Sequence, residues 1–195
     1  MGRPLRIGVL ALQGAFREHG LALRRLGAQV VELRLPEDLE ELDGLVIPGG
    51  ESTTIMHLAR LYGLDDAIRA YRGPIFGTCA GMIVLDREHL GLADLEVDRN
   101  AYGRQVRSFE ADVDLVGDDR PLRGVFIRAP RVRARGAGVE VLGELDDEPV
   151  LVRQGRFLLA SFHPELTDDP RVHELFLAMV RGAGVRPAVA TRSEA

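Results

Sequence analysis

The chain has 195 residues, 46% of them hydrophobic and 28% charged, which supports one large or two small domains with a buried core and excludes wholesale disorder. A net charge of −5 argues against a broad nucleic-acid-binding face. One cysteine excludes an internal disulfide and a cysteine-based zinc cluster, and all 25 basic residues are arginine, which excludes a lysine imine and a P-loop on this chain.

No apolar run approaches the roughly 18–20 residues of a membrane span, and no charged-then-apolar leader opens the chain. The expectation is a soluble, cytoplasmic protein. Ile7 to Leu12 is a short apolar run suited to a strand buried on both faces. Phe16 to Leu26 follows at helical spacing. Val30 to Leu33 and Leu45 to Ile47 read as strands, Thr53 to Tyr62 as a helix, Pro74 to Phe76 as a strand, and Ala80 to Leu85 as the start of a helix. That alternation predicts a parallel sheet with helices on both sides.

The second half changes character. Phe109, Ala111, Val113 and Leu115 alternate with Glu110, Asp112 and Asp114, the pattern of a half-buried antiparallel strand. Val125 to Ile127, Val139 to Leu145, Val150 to Arg153 and Phe157 to Phe162 are further strands, with Gln154-Gly155 as a tight turn between the last two. Val172 to Val180 closes as a helix. Residues 182–195, rich in Gly, Pro, Ser and charge, read as a flexible tail. Nothing cuts residues 1–181 in two, so one α/β domain with a mixed sheet is expected.

Three turns carry chemistry. Gly77-Thr78-Cys79-Ala80-Gly81 lies between a strand and a helix and has the form G-x-C-x-G, the cysteine version of the elbow that holds a nucleophile on a strained turn. Side chains at the flanking glycines would strike neighbouring backbone. The helix dipole favours negative charge on the sulfur, and the Ala80 amide can face an oxyanion. The competing reading is a buried structural cysteine. A nucleophile needs a base, and the base an orienting group. Of His19, His57, His89, His163 and His173, only His163 directly follows a strongly apolar strand. Pro164 stiffens its turn, and Glu165 can fold back to accept a hydrogen bond from the imidazole. His57 and His173 fall in helical patterns as surface or packing residues; spacing leaves His19 and His89 open. Pro48-Gly49-Gly50-Glu51-Ser52 lets backbone amides approach a ligand and could complete an oxyanion hole; it also reads as a plain strand-to-helix turn capped by Ser52. No carboxylate-histidine set has metal-ligand spacing, so no metal is expected. No dinucleotide fingerprint is present either.

In this order the three segments resemble the class I, triad-type glutamine amidotransferases. Within that family the match is nearest to the glutaminase subunits of pyridoxal 5′-phosphate synthases. It extends to Gly8 to Ala15 with Arg17-Glu18-His19, to Arg99-Asn100 and Gly103-Arg104-Gln105, to Ser108 to Asp112, to Val125 to Pro130, and to Ser161 to Thr167. The resemblance implies a flavodoxin-like, three-layer fold with a mixed, mostly parallel sheet flanked by helices. It implies Cys79 as nucleophile, His163 as base and acid, and Glu165 as its orienter. It implies glutamine held by Gly49, Gly50, Glu51, Arg99, Ile127 and Arg128, and an oxyanion hole from Gly49, Gly50 and Ala80. Glutamine carries a carboxylate that needs a cation, which Arg99 or Arg128 can supply. The implied activity is hydrolysis of L-glutamine to glutamate and ammonia, with no cofactor. The implied partner is a synthase subunit, in a large hetero-oligomer, that consumes the ammonia; the Gln13-Gly14-Ala15 loop is a candidate contact. The alternative within the family is the glutaminase serving imidazole glycerol phosphate synthesis, against which Leu12-Gln13-Gly14 and Ala129-Pro130 count.

Overall fold

A computed structural model describes residues 3–99 and 108–182. Strand β1 (Arg6–Leu10) leads to helix α1 (Phe16–Arg25) and strand β2 (Gln29–Leu33). Strand β3 (Gly44–Ile47) feeds α2 (Ser52–Leu61) and α3 (Leu64–Ala70); β4 (Ile75–Thr78) feeds α4 (Ala80–Leu85). Next come β5 (Leu95–Asp98), β6 (Ser108–Leu115), β7 (Asp118–Ile127), β8 (Arg131–Arg135), β9 (Glu140–Leu145), β10 (Glu148–Gln154), β11 (Phe157–Ala160) and α5 (Arg171–Val180).

Nine strands form one sheet in the order β2-β1-β3-β4-β11-β10-β9-β6-β7, and β5 pairs with β8 in a separate two-stranded sheet. Neighbours from β2 through β11 are parallel; those from β11 to β7 are antiparallel. The central parallel strands β3, β4 and β11 are short, fully buried and almost wholly apolar because both of their faces are covered, whereas the edge strand β2 carries Gln29 and Glu32. Successive side chains point to opposite faces, and the core divides accordingly. Leu45, Ile47, Ile75 and Leu159 join the helices α2, α3 and α4 on one face. Val46, Phe76, Leu158 and Ala160 join α1 and α5 on the other. The result is the expected three-layer arrangement. Among the described residues no helix is long and apolar enough to cross a membrane.

Local differences from the sequence reading have local causes. The β10–β11 turn consists of Gly155 and Arg156, since Gln154 pairs with Phe157; Gly155 takes a φ of +54°, as the first loop position of a type II′ turn requires. Strand β7 reaches back to Asp118 through charged residues that hide it from an apolar count. The expected tail beyond 182 lies outside the described residues.

The elbow at the end of β4 sets the tightest packing. A Cβ on Gly81 would meet the carbonyl of Ile47, and one on Gly77 would lie 2.8 Å from the carbonyl of Gly81. Both obstacles are backbone, which cannot move without disturbing β3 or α4. Gly81→Ala is therefore expected to lower stability by about 1–3 kcal/mol or more, read as a fall in the urea midpoint at unchanged slope; an unaltered midpoint would refute the close approach.

Candidate functional site

The three chemical turns, and a fourth loop, leave the C-terminal ends of four adjacent parallel strands. β1 runs into the loop ending at Ala15, β3 into Pro48 to Glu51, β4 into Cys79, and β11 into Ser161 to Glu165. The register aligns Ile47 with Gly77 and Thr78 with Ala160, so residues distant in sequence end at one level. A crevice beyond the C-terminal strand ends is where open α/β sheets bind ligands. Here a pocket lies there, lined by Cys79, His163, Gly49, Gly50, Glu51 and Ala80, with Arg99, Ile127 and Arg128 on its wall.

Cys79 occupies a backbone conformation rare for a residue with a side chain, φ +48° and ψ −106°. Such strain persists where the surroundings over-determine it: its N–H donates to the Ala160 carbonyl at 2.8 Å. The sulfur lies 3.7 Å from the Ile127 carbonyl, a weak S–H contact. Ala80 is the first helical residue of α4, so its N–H has no acceptor within the helix.

His163 is fixed by its backbone N–H, which donates to the Val125 carbonyl at 2.8 Å, and by Nδ1, which lies 2.7 Å from Oε1 of Glu165. Both side chains are nearly buried. A Cβ on Gly49 would strike the His163 ring and come within 3.3 Å of the Cys79 Cβ; only glycine lets the turn close over both residues. Burial opposes charge on His163, but its hydrogen bonds to Cys79 and Glu165 and their negative charges prevail, raising its pKa to about 10. Burial likewise opposes charge on Glu165, and the facing imidazoles overcome it and hold the carboxyl below its ordinary range.

On the pocket wall, Arg128 donates to Oε1 of Glu51 at 2.6 Å, and Arg99 donates to Thr53 at 3.0 Å. The Arg128–Glu51 pair presents one cation and one anion side by side, complementary to an amino-acid zwitterion. The Gly49 turn has its own partners: the Gly49 N–H donates to Thr78 Oγ1 at 3.1 Å, and its carbonyl accepts from Ala15 N–H at 3.0 Å. The Gln13 side chain accepts from Glu51 N–H at 2.7 Å, tying the β1 loop to this turn. Every sequence-predicted site residue thus lies in one place. Asn100, Gly103, Arg104 and Gln105 lie outside the described residues.

Sequence reasoning missed a buried layer behind Cys79, His163 and Glu165. His19 of α1 is fully buried, with Nδ1 3.0 Å from His173 Nε2 and Nε2 2.9 Å from Thr78 Oγ1 and 3.2 Å from Glu165 Oε2. The available signal was a histidine on the apolar face of each helix, beside Leu23 in α1 and beside Val172 and Phe176 in α5. By contrast His57 is exposed, and His89 contacts Asp86 at 2.7 Å, away from the pocket.

These protonation states give stability a two-sided pH dependence. Burial, and then the neighbouring His19, push His173 down to about 3, so between 6.5 and that value the unfolded chain binds more protons and stability falls as pH falls. His163 has the opposite sign: its contribution is complete below 6.5 and is lost as pH rises toward about 10. Thermal melts across this range should show both limbs. His173→Leu should flatten the acid limb, and an equally steep limb in that variant would contradict a buried neutral imidazole.

Residues 9–182 match the family model described as the SNO glutamine amidotransferase family. A Thermus thermophilus protein named pyridoxal 5′-phosphate synthase subunit PdxT is 56% identical over 89% of this chain and 96% of its own. One of the same name from Streptomyces avermitilis is 56% identical over 93% of this chain and 96% of its own. A solved structure titled as a glutamine amidotransferase superposes with a TM-score of 0.84 at 52% identity, covering 90% of this chain and 98% of that one. A putative GMP synthase subunit from Thermoplasma acidophilum shares the fold at 17% identity, with a TM-score of 0.75 over 93% of this chain and 96% of that one. Fold, pocket and sequence agree, and the chain belongs to the SNO glutamine amidotransferase family.

Proposed function

We propose that the chain is a glutaminase subunit of pyridoxal 5′-phosphate synthase, which hydrolyses L-glutamine to L-glutamate and ammonia and passes the ammonia to a synthase subunit for vitamin B6 synthesis. Relatives named pyridoxal 5′-phosphate synthase subunit PdxT match nearly its whole length at 50–56% identity. The observation that carries the reading is the meeting of Cys79, His163 and Glu165 at neighbouring strand ends, in a pocket walled by the Arg128–Glu51 pair. All these residues fall in one domain, residues 1–181. A cytoplasmic setting fits that use.

The Cys79 thiolate attacks the side-chain carbonyl carbon of glutamine, and the tetrahedral oxyanion is met by Ala80 N–H and the Gly49-Gly50 turn. His163 enters the reaction protonated, which its raised pKa supports, and gives that proton to the departing nitrogen. Ammonia leaves, and a glutamyl thioester remains on Cys79. His163, now neutral, takes a proton from water as the water attacks the thioester carbonyl. Collapse releases glutamate and restores the thiolate–imidazolium pair. Glu165 holds Nδ1 throughout, so the other ring nitrogen faces the reacting atoms. Glu51 suits the α-ammonium of glutamine. Arg128 and Arg99 both suit its α-carboxylate.

The Gly49 N–H is already taken by Thr78 and its carbonyl by Ala15. The turn must exchange these bonds before Gly49 can serve an oxyanion, and docking of the synthase at the Gln13-Gly14-Ala15 loop is placed to drive that exchange. The subunits would then act as a large hetero-oligomer.

Ammonia release from glutamine should rise on adding the synthase subunit; equal turnover with and without it would contradict activation by docking. Cys79→Ala should abolish turnover while still binding glutamine by calorimetry, and full glutaminase activity in that variant would end the nucleophile assignment.

A further inference from the structure

The triad carboxylate has one oxygen that the mechanism does not use. Oε1 of Glu165 engages His163, whereas Oε2 is fully buried and lacks a well-formed hydrogen bond. A buried carboxylate oxygen without a donor is costly. His19 Nε2, at 3.2 Å, faces it. Phe76 packs edge-on against the His19 ring, 5.8 Å between centroids, and encloses it further.

Two proton arrangements fit the chain His173–His19–Thr78. In one, His173 Nε2–H donates to His19 Nδ1, and His19 carries its proton on Nε2, toward Thr78 Oγ1 and Glu165 Oε2. In the other, His19 Nδ1–H donates to His173, and the bare Nε2 accepts from the Thr78 hydroxyl. The second sets a nitrogen lone pair 3.2 Å from a buried anionic oxygen, with no solvent to screen the repulsion. The first sets an N–H there, shared between two acceptors. A cationic His19 is disfavoured: burial dominates, with His163 adding to it, and Glu165 and the exposed Glu18 oppose it without prevailing.

We propose that His19 is a positioning residue for this reaction: held in its Nε2–H form by His173, it donates to Oε2 of Glu165 and so keeps Oε1 on His163. The charged and titratable groups that face it are Glu165 and His163 from the turn after β11, His173 from α5, and Glu18 from its own helix. Thr78 Oγ1, which shares the proton, also holds the Gly49 N–H, so the same imidazole touches the anchor of the oxyanion turn. This inference rests on the glutaminase reading above.

Asparagine and glutamine separate the two sides of the imidazole. The Asn amide reaches the Nδ1 position and can still meet His173 but not Glu165; the Gln amide reaches the Nε2 position and restores a donor. With the full chain assayed alongside its synthase subunit, His19→Asn should lower kcat for glutamine about ten- to a hundredfold, the range of a lost charge-assisted hydrogen bond. KM should stay unchanged. Glu165 would be a weaker acid partner for the charge and would take up a proton at higher pH, so the acid limb of the pH–rate profile should move upward. His19→Gln should bring both rate and limb back toward the wild type. An acid limb that stays in place in His19→Asn, or no rescue by His19→Gln, overturns the proposal. Wild-type protein labelled with 15N-histidine provides a reading free of any folding defect: His19 should show Nε2 protonated and Nδ1 bare at neutral pH, and the reverse tautomer overturns it. Failure of the wild-type complex to hydrolyse glutamine would instead remove the glutaminase reading, and this one with it.

Discussion

The arrangement depends on one backbone hydrogen bond, from Cys79 N–H to the Ala160 carbonyl at 2.8 Å. It is the last rung between β4 and β11, placed where both strands end. Because of it, a sulfur from the first half of the chain and an imidazole from the second leave the sheet side by side. It also helps to hold Cys79 in its strained positive-φ conformation, since the strand that delivers the residue cannot relax without giving up the rung. The glycines at 77 and 81 remove the side chains that would push the elbow away from Ile47 and α4. Side-chain chemistry at the pocket is thus imposed by main-chain geometry.

Behind the pocket, a single buried carboxylate is surrounded by three imidazoles and must be matched without excess charge. Burying an ion is tolerated when it is paired and hydrogen-bonded, and a second buried cation would go unmatched. One imidazole, His163, takes the proton because it meets both Glu165 and Cys79. The other two are neutral and oppose each other when charged, so they act as dipoles. A chain of polarised N–H groups is stronger than its separate links, and it gives the carboxylate directionality that a lone ion pair lacks.

Much of this was legible in the sequence. The parallel half was readable to within a few residues because β3 and β11 are unbroken apolar runs, β1 and β4 are apolar but for Arg6 and Thr78 at their ends, and the longer helices have clear periodicity. α3 escaped notice: at seven residues, with Asp65 and Asp66 in its first turn, it is too short for its periodicity to stand out. β8 was not among the expected strands: with arginine at every second position, its outward face is entirely basic and its apolar face holds only Val132 and Ala134. The three chemical turns were legible as local patterns. Their convergence was not, because it follows from strand order, and strand order is set by non-local pairing. His19 and His173 fit helical spacing as well as any packing residue would; what distinguishes them is a partner on another element, which no window of sequence contains.

The far margin of the sheet has a different character. β7 is its outermost strand, ten residues long, with one side unpaired among the described residues, the kind of border to which a foreign strand can attach. Pro121 removes one donor from that border, and Asp118, Asp119, Arg120 and Arg123 crowd it with charge. Arg171, at the start of α5, donates to the carbonyls of Arg120 and Pro121, both at 2.8 Å. A guanidinium therefore occupies two main-chain acceptors of this border strand, and a strand adding there would have to displace it to bond them.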